Sequence, residues 1–214
     1  MSHNIEQALL DDYAAYFSVQ QDFSLNVVPV NQLPDATQFE TAIPELFRMA
    51  SDMLVVDQQA LRDLNMGERS AKLIASVLQQ QAQRISMLST YLLRQEDDPA
   101  HRCEGLTYSG GGCSFTNTKA ALQLAQGDWV QVKLFLPEDL AAVCAWGQII
   151  ALDSATTAPT DEPNPAQITY TVAFNRIREA DRELLVKASL QTQTKQLRAR
   201  SMARQQAQEN NEPE

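Results

Sequence analysis

Few side chains in this chain could carry a reaction, and one segment has the residues to hold a ligand. The only histidines are His3 and His101, and there is no His-x-x-x-His pair, Cys-x-x-Cys pair, Gly-x-Ser-x-Gly elbow or phosphate-loop lysine. Metal-assisted hydrolysis, acyl transfer to serine and Walker-type nucleotide hydrolysis therefore lack their residues. The acidic pair Asp97 and Asp98 precedes Pro99 and reads as a solvated helix end rather than an acid–base couple. Binding chemistry is better motivated, by Leu106-Thr-Tyr-Ser-Gly-Gly-Gly-Cys-Ser-Phe115. There the Ser109 hydroxyl and the amides of Gly110, Gly111 and Gly112 would suit an anionic oxygen or the edge of a base. Arg94 and Arg102 flank the segment and would supply charge. Equally, the glycines would let a strand pair bend sharply.

The whole chain argues against a nucleic-acid polymer or a membrane surface as partner. It has 214 residues, 44% of them hydrophobic, and a formal net charge of -10. A long-range field of that sign repels polyanions. The charge is uneven, however. Eight of the 17 Lys and Arg lie between 176 and 206 (Arg176, Arg178, Arg182, Lys187, Lys195, Arg198, Arg200, Arg204), against Glu179, Asp181 and Glu183. Cys103, Cys113 and Cys144 are odd in number and have no metal spacing, which predicts reduced packing residues. With neither a basic leader followed by an apolar run nor eighteen consecutive apolar residues, the expectation is a cytoplasmic protein without a membrane span.

Hydrophobic periodicity supplies the elements that would position the glycines. Residues 4–20 read as a short amphipathic helix on Ile5, Leu9, Tyr13 and Tyr16 or Phe17, followed by an extended piece over 23–30. Pro29 argues against a central strand there. Apolar residues at Ile43, Phe47, Ala50, Leu54, Leu61 and Leu64 predict one helix over 39–64, and Gly67 suits its C-terminal stop. A second helix, 68–96, repeats the stripe at Ala71, Ile74, Leu78, Gln81, Ile85, Leu88 and Leu92. The pair reads as an antiparallel hairpin whose seam would close on itself, on the rest of the chain or on another copy.

After Pro99 the period changes to alternation. Strands are predicted at 104–108, 113–117, 129–136, 143–150 and 168–174, with turns at Gln126-Gly-Asp and Pro137-Glu-Asp and a proline-rich loop over 154–165. A basic helix from 179 to about 206 closes the chain. The expected organisation is an N-terminal helix and extended segment (1–34), a helical hairpin (35–98), a β-barrel (99–178), a C-terminal helix (179–206) and a polar tail (207–214).

The stretch Thr107-Tyr-Ser109-Gly-Gly-Gly112-Cys-Ser-Phe115 resembles the Asp-or-Asn-x-Ser-x-x-Gly motif of the PilZ family of cyclic di-GMP receptor domains. Gly127 to Pro137, Ala145-Trp-Gly-Gln-Ile-Ile150, Thr171-Val-Ala-Phe174 and Asp181-Arg-Glu-Leu-Leu185 with Gln193 extend the likeness. Thr107 departs from the motif, and the family's upstream Arg-x-x-x-Arg pair is absent. The helices ahead of the barrel resemble the atypical branch of that family. The resemblance implies an α+β fold, a small antiparallel barrel of about six strands preceded by a long helical hairpin and followed by a helix. It implies a non-catalytic cyclic di-GMP receptor in bacterial signalling that couples nucleotide to a protein partner, without metal or other cofactor. Its ligand contacts would be Arg94, Arg102, Ser109, Gly110, Gly111, Gly112, Arg176 and Arg178. Homo-oligomerisation through the hairpin is a further implication. The alternative is a nucleotide-blind interaction or oligomerisation module of the same fold.

Overall fold

A computed structural model of the protein describes residues 2–49, 69–93, 95–117, 122–136, 141–154 and 168–209. The elements are α1 (Ser2–Ala14), β1 (Val19–Val30), α2 (Ala36–Ala42), α3 (Arg69–Leu93), β2 (Arg102–Tyr108), β3 (Gly112–Asn117), β4 (Trp129–Leu136), β5 (Ala141–Ser154), β6 (Ile168–Arg176) and α4 (Glu179–Glu209). The six strands form a closed antiparallel barrel in the order β1-β2-β3-β6-β5-β4. Closure leaves no sheet edge unpaired. The interior follows from strand alternation: Val130, Val132, Leu134 and Leu136 point inward from β4, and meet Leu25, Val27, Phe115, Val143, Val172 and Phe174.

The sixth strand is the one that Pro29 argued against. β1 is flanked by both β2 and β4, with Pro29 opposite Val130. Proline is tolerated because its missing N–H points where no partner remains. The Val27 amide donates to the His101 carbonyl, and residues two apart send their amides to the same side. Pro29 therefore turns its nitrogen toward β2 just beyond the point where β2 begins at Arg102. The barrel thus takes its first strand from the 1–34 segment.

The expected helix over 39–64 is also broken early. α2 ends at Ala42, and Ile43 is extended, with φ -77° and ψ 125°. Pro44 follows it, and proline disfavours helix in the residue before it. Ile43 and Phe47 then pack on the outer face of β5 against Ala142, Cys144 and Trp146, together with Leu93 at the end of α3. These two stripe residues serve the barrel rather than a helical seam. The chain is helical again over 45–49, and residues 50–64 and the Met66-Gly67 turn lie outside the described residues, as do the Pro137-Glu-Asp turn and most of the 154–165 loop.

Two joints fix the helices to the barrel. At the end of α3, buried Asn26 donates to Asp97 Oδ1 at 2.8 Å and to the Asp98 carbonyl at 3.1 Å, and accepts from the Asp98 amide at 2.8 Å. Lys133 pairs with Glu96 at 2.9 Å. At the other joint α4 inserts Leu185 and Ala188 into the barrel core. Its Thr192 hydroxyl donates to Gln21 at 2.9 Å and lies 3.3 Å from the Tyr108 hydroxyl. The three cysteines are free and buried.

Candidate functional site

The glycine segment forms the β2–β3 connection, with Ser109 buried at its start. The Ser109 hydroxyl accepts from the amides of Gly111 at 3.1 Å and Gly112 at 3.2 Å, and the Ser109 amide donates to the Gly112 carbonyl at 2.9 Å. The Gly111 carbonyl takes the Phe174 amide at 2.8 Å. Two amides that the sequence offers to a ligand are therefore engaged inside the hairpin.

Space, not dihedral angle, requires the glycines here. Among the described glycines only Gly127 has a positive φ, 93°. A Cβ on Gly112 would lie 2.1 Å from the Val172 carbonyl oxygen and 2.7 Å from the Tyr13 ring. On Gly111 it would meet the Asp12 carbonyl at 2.8 Å, and on Gly110 the Tyr16 ring and Val186, each at 2.7 Å. The close neighbour is thus the protein's own α1 and the turn after it. Leu9 anchors that helix against Ile150 and Ala173, with Tyr13 beside them. Burial pushes the pKa of the Tyr13 hydroxyl up; Cys113 adds to the shift, and hydrogen bonds to Thr107 and Ser18 oppose it.

The cations sort by barrel end. Arg182, on the first turn of α4, donates from Nη1 to the Gly110 carbonyl at 3.0 Å and places its guanidinium 5.3 Å from the Tyr16 ring centre. Arg176 closes β6 and Arg178 lies on the connection to α4, at the same end as the glycines. Arg102 stands at the other end of β2, about 20 Å from Ser109 at strand rise, and is bound to Asp97 at 2.8 Å. The structure therefore groups Ser109, Gly110, Gly111 and Gly112 with Arg176 and Arg178, and separates Arg102 from them. Arg94 lies outside the described residues. Tyr13, Tyr16 and Arg182 complete the corner. In sequence the two tyrosines announce only a helix face, and their seat on residues about a hundred positions away carries no local signal.

A model of the PilZ domain matches residues 78–191. The chain belongs to the PilZ family. A solved structure of a tetrameric PilZ domain from Xanthomonas campestris, self-assembled via an unusual helical bundle, has the same fold. It is 15% identical, covers 86% of this chain and 92% of that one, and has a TM-score of 0.51. The inhibitor of motility MotI/DgrA of Bacillus subtilis is similar at 9% identity and a TM-score of 0.43, covering 84% of this chain, which spans only 51% of that one. The PilZ domain of Escherichia coli YcgR with c-di-GMP is similar at 14% identity over 50% of this chain and 82% of that one, TM-score 0.38. No curated protein matches the sequence.

Proposed function

We propose that the protein is a non-catalytic module of cyclic di-GMP signalling that acts through protein contacts, its glycine corner serving as the seat of α1. The observation that carries this reading is the filling of the corner by Tyr13, Tyr16 and Arg182, with the amides of Gly111 and Gly112 bonded to Ser109. The absence of the family's Arg-x-x-x-Arg pair upstream of the barrel supports it, because paired arginine forks at that place are what grip phosphate or guanine. The contact surface is α3. Its Ile74, Leu78, Ile85, Leu88 and Leu92 are 42–66% exposed and recur three and four or seven apart, the seam spacing of a helical bundle. Self-assembly through this ridge would parallel that of the Xanthomonas protein, a tetramer held by a helical bundle.

The receptor reading keeps one specific support. Arg176, Arg178 and Arg182 share the barrel end with Ser109 and Gly110 to Gly112, so release of α1 would leave a cationic corner beside the glycines. Sedimentation velocity with and without cyclic di-GMP tests the proposal. The expected result is an oligomer that Ile85→Glu with Leu88→Glu reduces to monomer and that nucleotide leaves unchanged. A monomeric native protein, or one whose assembly follows the nucleotide, overturns it.

A further inference from the structure

Among the described residues, neither the barrel nor the α3 ridge covers the outer face of α4. The inner face is held as far as Gln196, whose amide donates to the Gln20 carbonyl. Beyond it, 197–205 are all exposed although the helix runs on to Glu209. Along the outer face run two shallow grooves that share Lys187 and Leu190. One, of about 360 Å³, lies between Tyr16 and α4 beside Glu179 and Glu183. The other, of about 370 Å³, is lined by Leu190, Thr194, Lys195 and Arg198. Leu190 and Leu197, one heptad apart, are 53% and 57% exposed.

Charge selects the occupant. From Leu184 to Gln208 the chain carries Lys187, Lys195, Arg198, Arg200 and Arg204 and no acid. A second α4 laid parallel and in register along this face would oppose cation to cation, which disfavours that pairing. The other twelve Lys and Arg stand against all 27 Asp and Glu, so the body of the molecule repels an extended polyanion such as DNA or an anionic bilayer. A compact acidic partner meets the helix without meeting the body. We propose that the outer face of α4 docks an acidic amphipathic helix of another protein. Two leucine-sized contacts seat on Leu190 and Leu197, and the acidic half of the partner lies over Lys195 and Arg198, away from Glu179 and Glu183.

The test uses the full-length protein and a fluorescent synthetic peptide of about 20 residues, with leucines at heptad spacing flanked by glutamates. Anisotropy at about 150 mM salt is expected to give a Kd of about 10 µM or tighter. Leu190→Ser with Leu197→Ser, and separately Lys195→Glu with Arg198→Glu, are each expected to weaken it at least about tenfold while circular dichroism stays unchanged. Failure of the peptide to bind overturns the proposal, as does binding that survives the leucine changes. Equal or tighter binding to phosphatidylserine vesicles or duplex DNA also overturns it. Because the α3 ridge is untouched, these outcomes are independent of assembly through that ridge.

Discussion

At the scale of single residues, the three glycines have unequal duties, and the atoms around them predict unequal costs. A methyl at position 112 collides with a carbonyl oxygen of the neighbouring strand, which moves only if the barrel moves. Gly112→Ala is expected to destabilise by roughly 2–3 kcal/mol, the scale of overpacking in a dense core. At position 110 the obstacles are the Tyr16 ring and a Val186 methyl, so Gly110→Ala should loosen α1 and cost about 1 kcal/mol or less. Urea midpoints of the two variants distinguish them, and equal midpoints would refute the assignment. Ser109→Ala removes the acceptor of two buried amides, a loss of about 1–3 kcal/mol, so it probes the hairpin before it probes any ligand.

The buried thiols make a second residue-scale prediction. Burial pushes the Cys144 pKa up to about 12 and shifts Cys113 upward as well, from an ordinary value of 9.0. In the unfolded chain these thiols ionise near the ordinary value while the folded chain holds them protonated. Stability is therefore fully present below about pH 9 and is lost as pH rises toward the folded values. The melting temperature should fall as pH rises from about 9 toward about 12, and replacing Cys144 by Ala should lessen that fall. A thiol reagent at about pH 8 should label none of the three cysteines until denaturant is added; rapid labelling of the native protein would contradict their burial.

Elements were legible in the sequence to the extent that their pattern was local. Alternation along β4 and the 3.6 period of α3 need only a few neighbouring residues, and both elements lie close to the predicted bounds. Two prolines decided the differences. Pro44 ends a helix whose apolar stripe runs past it, and the stripe alone does not reveal that Ile43 and Phe47 turn to β5. Pro29 is admissible because β1 runs on past the point, opposite Asn26, where β2 begins, a fact of register that is absent from the residue itself. The glycine corner was legible as a place of close approach, but what approaches it is set by the return of α1 to β6 across the fold. The joint between α3 and the barrel has the same long-range character. Asn26 makes three hydrogen bonds to Asp97 and Asp98, some seventy residues away. Asn26→Ala leaves the Asp98 amide without its acceptor, so a loss of about 1–3 kcal/mol is expected. Hydrogen exchange should rise at 95–98 ahead of the strands, whereas unchanged exchange there would exclude Asn26 as the clasp.

For the whole molecule, a closed barrel carries two helical surfaces that point away from it, the apolar ridge of α3 and the cationic outer face of α4. No described helix is long and apolar enough to cross a membrane, and no group of three or more His, Cys, Asp or Glu could hold a metal ion among the described residues. Contacts with proteins are the activity proposed for these two surfaces, and membership of the PilZ family ties the domain to cyclic di-GMP signalling. The barrel end where the family resemblance would put the nucleotide is occupied by Tyr13 and Tyr16. Calorimetric titration of the intact protein with cyclic di-GMP examines that claim most directly. The account predicts no heat of binding up to about 100 µM nucleotide. Micromolar binding that disappears in Arg182→Ala or Arg178→Ala would contradict it.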